Sequence, residues 1–189
     1  DQLRFNCGQL KNGFKSIQPQ PVWVDAKNIK KGDFLLIPRL KEQPFFKLYL
    51  KKFNKINSKG YRRGLLELSI NNDTAWLMGL YVAEGHTNIM QVGNEIIHFT
   101  LNIKEKDYAK RIQNIVKSLG YKTKIRENII QHSQDVSFSC TALARAFKEW
   151  FGIKAKVKKI PDFIMNAPEN IKIHFLRGLF EGDGYIKEN

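Results

Sequence analysis

Leu77-Met78-Gly79-Leu80-Tyr81-Val82-Ala83-Glu84-Gly85 returns 99 positions later as Leu176-Arg177-Gly178-Leu179-Phe180-Glu181-Gly182-Asp183-Gly184. Leu, Gly, Leu and the final Gly are identical in the two copies. The fifth place is aromatic both times, the seventh is small, and the eighth is a carboxylate, Glu84 or Asp183. A repeat of this kind predicts a pseudo-symmetric architecture.

Each copy reads as a helix. Gly79 with Ala83, and Gly178 with Gly182, lie four apart and therefore on one helix face. Glycine inside a helix costs about 1 kcal/mol relative to alanine, so its presence in both copies points to close backbone packing that offsets the cost. The two glycine faces are expected to meet each other. Glu84 and Asp183 each precede a terminal glycine, at the carbonyl end of a helix, where the dipole disfavours negative charge by about 0.3–1 kcal/mol. Parallel packing would bring the two carboxylates together, and a bound cation would remove the conflict. Paired hard oxygen ligands suit Mg2+ or Mn2+.

Outward from the first copy, Asn72 or Asp73 is expected to cap the helix and Gly85 to end it. Asn88 to Val92 and Ile96 to Ile103 read as strands across a Gly93-Asn94 turn, the second alternating His98, Thr100 and Asn102 against Ile97, Phe99 and Leu101. A helix follows from Asp107 to Leu119, with Ile112, Ile115, Val116 and Leu119 on one stripe. Two more strands, Tyr121 to Ile130 and Asp135 to Cys140, lead into a helix from Thr141 to Phe151. The order is α-ββ-α-ββ-α, an α+β layout, with an antiparallel sheet that has one face on helices and one face free.

The repeated nonapeptide resembles the L-A-G-L-I-D-A-D-G motif of the homing endonucleases named for it, in particular the two-motif, single-chain kind. The resemblance implies an αββαββα half-domain, followed by the first helix of a second half. It implies that Glu84 and Asp183, at the eighth motif position, bind the catalytic metal, and that the sheet lies along DNA. Position six departs, being Val82 and Glu181 in place of Asp. In the family a K-x-I-P string precedes the second motif, and its lysine stands near the scissile phosphate. Lys156-Val157-Lys158-Lys159-Ile160-Pro161 gives that place to Lys158, with Lys159 as its neighbour, and Lys104 takes the corresponding place after the first motif. Strand parity and polarity nominate Gln91, His98, Thr100, Asn102, Lys122, Lys124, Arg126 and Ser137 for DNA contact.

Composition fits a polyanionic partner. The chain holds 32 Lys and Arg against 18 Asp and Glu, a formal net charge of +14, which predicts salt-dependent binding to duplex DNA. With 42% apolar residues, 12% aromatic ones among all residues, the chain can build a core and is no disordered basic tail. Two cysteines, Cys7 and Cys140, suggest neither a disulfide framework nor a zinc site. His86, His98, His132 and His174 show no metal-ligand spacing. The absence of an apolar run of about 18 residues argues against a membrane span or a signal peptide, so the expected place is the cytoplasm, or wherever the target DNA resides.

Residues 1–40 read as a separate β segment. Val22-Trp23-Val24, a turn at Lys31-Gly32-Asp33 and Phe34-Leu35-Leu36-Ile37 before Pro38-Arg39 suggest a hairpin. The string is similar to the part of intein splicing domains that precedes an inserted endonuclease. No Thr-x-x-His lies upstream and no His-Asn ends the chain, so this segment is expected not to splice. Residues 41–70, with Lys41, Lys47, Lys51, Lys52, Lys55, Lys59, Arg62 and Arg63, read as a basic connector. Residues 71–189 form the domain of the resemblance, its second half cut off after the motif helix. The expected function is site-specific double-strand DNA cleavage by a pseudo-two-fold monomer when full length. The alternative is a non-cleaving nucleic-acid-binding module on the same fold, such as an intron maturase or a transcription regulator.

Overall fold

The computed structural model of the chain describes residues 2–5, 21–35, 47–54, 64–90, 94–153 and 155–184. Two compact units emerge, Asp1–Lys41 and Glu42–Asn189. In the first, strand β1 (Gln2–Phe5) lies between β2 (Pro21–Val24) and β3 (Phe34–Leu35), both antiparallel to it. The expected hairpin is thus corrected: β2 and β3 pair with β1 and not with each other. The expected turn is present, with Gly32 at φ +100° and the Lys30 N–H donating to Asp33 Oδ2 at 2.6 Å. Cys7 lies outside the described residues.

The second unit opens with a two-stranded antiparallel ribbon, β4 (Lys47–Tyr49) and β5 (Glu67–Ser69). Leu50, Phe53, Leu68 and Ile70 from this stretch are buried in the main core, and Arg145 donates to the Phe53 carbonyl. The described part of the expected connector is therefore a packed part of the unit. Its basic residues hid this, because only alternate positions turn inward.

Helix α1 (Asn72–Glu84) is capped by Asn71, one residue before the expected Asn72 or Asp73. Asn71 Oδ1 accepts the N–H groups of Asp73 and Thr74, and Thr74 Oγ1 accepts the Asn71 N–H in return. This reciprocal box satisfies donors that the helix itself leaves open, and one such cap is worth about 1 kcal/mol. Strand β6 (Gly85–Ile89) begins directly at the helix end, three residues before the expected Asn88. Then come β7 (Glu95–Asn102), α2 (Lys106–Ser118), β8 (Thr123–Asn128), β9 (Ser133–Ser139) and α3 (Thr141–Phe151). The short α4 (Asp162–Met165) leads to α5 (Glu169–Asp183), the second motif helix.

The four strands form one antiparallel sheet in the order β6-β7-β9-β8. Alternation decides its faces. Ile97, Phe99 and Leu101 of β7, with Val136 and Phe138 of β9, are buried against Ala109, Ile112, Ile115 and Val116 of α2 and Leu143, Phe147 and Phe151 of α3. Each large apolar side chain so buried contributes about 1.5–3 kcal/mol. Tyr81 of α1 stands at the centre, its ring against Phe99, Phe147 and Phe151. A buried ion network missed from sequence pins the start of β7: Glu95 accepts from Arg145 at 2.8 Å and Lys148 at 3.1 Å, both on α3.

Candidate active site and nucleic-acid interface

Helices α1 and α5 run side by side and parallel. Asn170 reaches Asn72 near their N-termini, Gly79 and Gly178 face the partner helix midway, and Gly182 lies against Ala83 and Glu84 at the far end. The middle contact is nearly symmetric. A Cβ added at Gly79 would land 2.9 Å from the Leu179 nitrogen and closer still to the Phe175 carbonyl oxygen. One added at Gly178 would land 2.9 Å from the Leu80 nitrogen and closer still to the Trp76 carbonyl oxygen. Only glycine lets two backbones approach this far, so the sequence repeat becomes a backbone contact.

Parallel packing brings both carbonyl ends, with their acids, to one place. Glu84 Cγ lies 3.2 Å from where a Gly182 side chain would start, and Asp183 is the next residue. Partial burial holds the Glu84 carboxyl above its usual range, and the charges of Asp183 and Glu105 push it further, against the pull of Lys158. Two carboxylates repelling each other at two helix C-termini form a site of excess negative potential. The donor chemistry suits a hard divalent cation. Among the described residues no group of three or more His, Cys, Asp and Glu could hold a metal.

Lys158 joins the site in an unexpected way. Its ammonium donates to the carbonyl oxygens of Tyr81, Val82 and Gly85, the last two at 2.8 and 2.7 Å. An ammonium has three donors, and here all three serve the open end of α1. Burial lowers the Lys158 pKa, while Asp183 and Glu84 oppose that shift. The lysine placed beside the scissile phosphate by the family pattern is, in this structure, a cap on the helix that carries Glu84. Lys159 is exposed, and Lys104 is exposed in the turn after β7, its N–H bonded to Asn102 Oδ1.

The odd residue at motif position six also finds its reason. Glu181 accepts from the indole N–H of buried Trp76 and from Arg177 at 2.6 Å. Its carboxylate locks one motif helix to the other, while the equivalent Val82 on α1 packs partly buried against the core.

On the free face of the sheet, register aligns the side chains in rows. His86 lies opposite His98, His98 opposite Ser137, and Ser137 opposite Lys124; Thr100, Asp135 and Arg126 form the next row, and Asn102, Ser133 and Asn128 the third. Thr100, Asn102, Lys124 and Arg126 are exposed there, and Lys122 is exposed just before β8. Ser137 is not available: it is buried in a central strand, its hydroxyl donating to the Lys124 carbonyl. His98 is half-buried, bonded to Asp135 at 3.1 Å and stacked on His86 with ring centroids 4.9 Å apart. His86 and Asp135 escaped the sequence reading. Strand parity reveals His86 only once β6 is known to start at Gly85. Gln91 lies outside the described residues.

Residues 71–152 match the family model described as the LAGLIDADG-like domain. The chain carries a LAGLIDADG-like domain. The chain is 32% identical over 171 residues to the replication factor C small subunit of Methanocaldococcus jannaschii, covering 84% of this chain and 9% of that protein. It is 28% identical over 178 residues to an iron-sulfur cluster assembly SufBD family protein of Mycobacterium tuberculosis, covering 93% of this chain and 18% of the relative. Among solved structures, variants of the homing endonuclease I-DmoI superpose with a TM-score of 0.44 at 15% identity, over 59% of this chain and 61% of theirs. Within the matched residues, Glu84 and the polar sheet face adjoin directly, because β6 leaves α1 with no loop between them; α5 and Asp183 follow the matched stretch. A Cβ at the junction, Gly85, would fall 2.6 Å from Tyr81 Cα, so glycine alone permits the direct passage from helix to strand. No helix among the described residues is long and apolar enough to cross a membrane.

Proposed function

We propose that the chain is the core of a site-specific, divalent-metal-dependent DNA endonuclease of the homing kind. The observation that carries the reading is the meeting of Glu84 and Asp183 at the carbonyl ends of two parallel helices, at the border of a basic, polar sheet face. Glu84 and Asp183 would hold Mg2+ or Mn2+, which when bound supplies Lewis-acid stabilisation of phosphate charge and a more acidic water. Lys158 offsets part of the local negative charge and fixes the end of α1. The face bearing His98, Thr100, Asn102, Lys124 and Arg126 lies in the major groove, phosphate contacts setting position and base edges setting sequence. Each acid serves one DNA strand.

The relatives support an inserted, intein-encoded origin. One segment of similar length matches a replication factor subunit and an iron-sulfur assembly protein, whose names have nothing in common, and it fills 9% and 18% of them. A mobile element accounts for that pattern, and the β1–β3 unit would then be part of a splicing domain. The test is a nicking assay with magnesium, using the chain within its flanking reading frame and a substrate that carries the uninterrupted insertion site. Glu84→Gln with Asp183→Asn is expected to abolish cleavage and leave DNA binding intact. Cleavage by that double variant at the wild-type rate overturns the proposal.

A further inference from the structure

Small residues let two helices come close, but they offer few side-chain knobs to lock one helix lengthwise on the other. Gly79, Ala83, Gly178 and Gly182 make such a face between α1 and α5. Little else holds α5 in place. Its outer residues Ile173, Leu176 and Phe180 are exposed, and its packing rests chiefly on α1. Asp183 is the last residue of α5, so any slip of that helix moves the acid relative to Glu84.

One directional contact crosses the interface near this end: the indole N–H of Trp76 on α1 donates to Glu181 Oε2 on α5. Both partners are themselves held. The Trp76 ring is fully buried, with the Tyr108 ring centroid 6.2 Å away and the Arg111 guanidinium 4.1 Å over it, and Arg111 is tied to Asp73 at 3.0 Å. The Glu181 side chain is mostly buried, and its Oε1 accepts from Arg177, one turn back on the same helix, at 2.6 Å. An acid in the last turn of a helix is disfavoured by the dipole, and the indole and guanidinium offset that cost. The repeat offers a second place for the same bond and leaves it apolar. The counterparts of Trp76 and Glu181, 99 positions away, are Phe175, which has no N–H, and Val82, which has no acceptor. A single buried polar contact among apolar ones is the device that fixes register in paired helices.

We propose that Glu181 is a positioning residue: bonded to Trp76, it sets the register of α5 on α1 and thereby holds Asp183, two residues on, beside Glu84 at the spacing the metal site needs. The proposal rests on the metal-site reading above and names the group that sets the width of that site. The two acids are then placed by different means. Lys158 fixes the end of α1 that carries Glu84, and Glu181 fixes the end of α5 that carries Asp183.

The experiment compares Glu181→Val, Glu181→Gln, Trp76→Phe and the double variant Trp76→Phe with Glu181→Val. Three quantities are read: Mn2+ affinity by titration calorimetry, thermal melting, and a nitroxide distance between α2 and α5. The labels sit on exposed Lys110→Cys and Ile173→Cys in a Cys7→Ser background, where buried Cys140 stays unlabelled. Glu181→Val and Trp76→Phe should each weaken Mn2+ binding by about 10–100-fold, as the loss of a group that orients a metal ligand does, and should shift or broaden the label distance. Glu181→Gln removes the charge but keeps an oxygen for the indole, so it should stay near wild type in both. The double variant replaces both partners by apolar groups and should recover most of the melting temperature, while Mn2+ affinity stays low. Wild-type Mn2+ affinity in the double variant, or a Gln variant as weak as the Val variant, overturns the proposal. A wild-type chain that takes up no Mn2+ instead defeats the metal-site reading, and the label distance alone then decides the register: an unchanged distance in Glu181→Val overturns it.

Discussion

Helices α1 and α5 repeat one sequence pattern in two environments. On the shared face they are equals, with Gly79 and Gly178 each pressed against the other helix's backbone. On their outer faces they diverge. Leu77 and its counterpart Leu176 have relative exposures of 1% and 42%, and Tyr81 and Phe180 have 0% and 65%. Ile173, where α1 has buried Thr74, is exposed as well. The outer face of α1 has a sheet and two helices to cover it, and α5 carries the same kind of face with nothing among the described residues over it. A repeat encodes a surface, and only the structure says whether the surface is filled. In the proposed reading, a second αββαββα half covers α5 as the first covers α1.

The largest expected effect separates the equivalent leucines. Leu77→Ala should cost about 2–5 kcal/mol in chemical denaturation, and Leu176→Ala under about 0.5 kcal/mol. Equal losses would break the contrast. In a longer chain in which α5 is covered, the Leu176→Ala cost should rise toward that of Leu77→Ala, which sharpens it.

Next come substitutions that should act alike in the two helices. Gly79→Ala and Gly178→Ala each force the backbones apart, at about 1–3 kcal/mol of overpacking. Each should also disturb the approach of Glu84 to Asp183, read as weaker metal binding by calorimetry. A loss in only one of the two would show that the contact is not mutual.

Lys158→Met should cost about 1–3 kcal/mol, because the carbonyls of Tyr81, Val82 and Gly85 lose their donor while staying partly buried. A melting curve equal to wild type would mean the ammonium is free for phosphate, as the family pattern has it. The smallest effect is on Glu84. Its raised carboxyl pKa means that the folded protein holds this proton more tightly than the unfolded chain does, so ionisation opposes folding. Stability from this group is fully present below the ordinary carboxylate range and is lost as pH rises through the raised value. Glu84→Gln should therefore stabilise the metal-free protein at neutral pH, by about 0.3–1 kcal/mol from the helix-end conflict alone. The gain should vanish in acid, where both proteins carry a neutral side chain.

Much of this was legible in sequence, because it rests on short-range periodicity. Glycines four apart gave the contact face, alternation gave the parity of His98, Thr100 and Asn102, and the stripe Ile112, Ile115 and Val116 gave the buried side of α2. What escaped depends on partners far along the chain. Glu95 reads as a surface acid until Arg145 and Lys148 arrive from α3. Lys158 reads as one charge in a basic run until α1 offers it three carbonyls. Ser137 reads as an outward polar residue until its neighbours in a central strand close over it. The helix cap fell on Asn71 because a reciprocal bond with Thr74 outweighs the similar propensity of Asn72 and Asp73. Boundaries of this kind are set by single hydrogen bonds, which no periodicity reveals.

Gly85 has one further consequence. With no residue between the end of α1 and the first rung of the sheet, Gly85 opposite Phe99, there is no slack in which the acid and the strands could drift relative to each other. In the proposed reading, the spacing between recognised bases and the broken bond is a fixed dimension of the molecule, like the offset between a ruler's edge and its first mark. Side chains on the strands can then be exchanged to suit another sequence while the cut stays at the same distance from whatever is read.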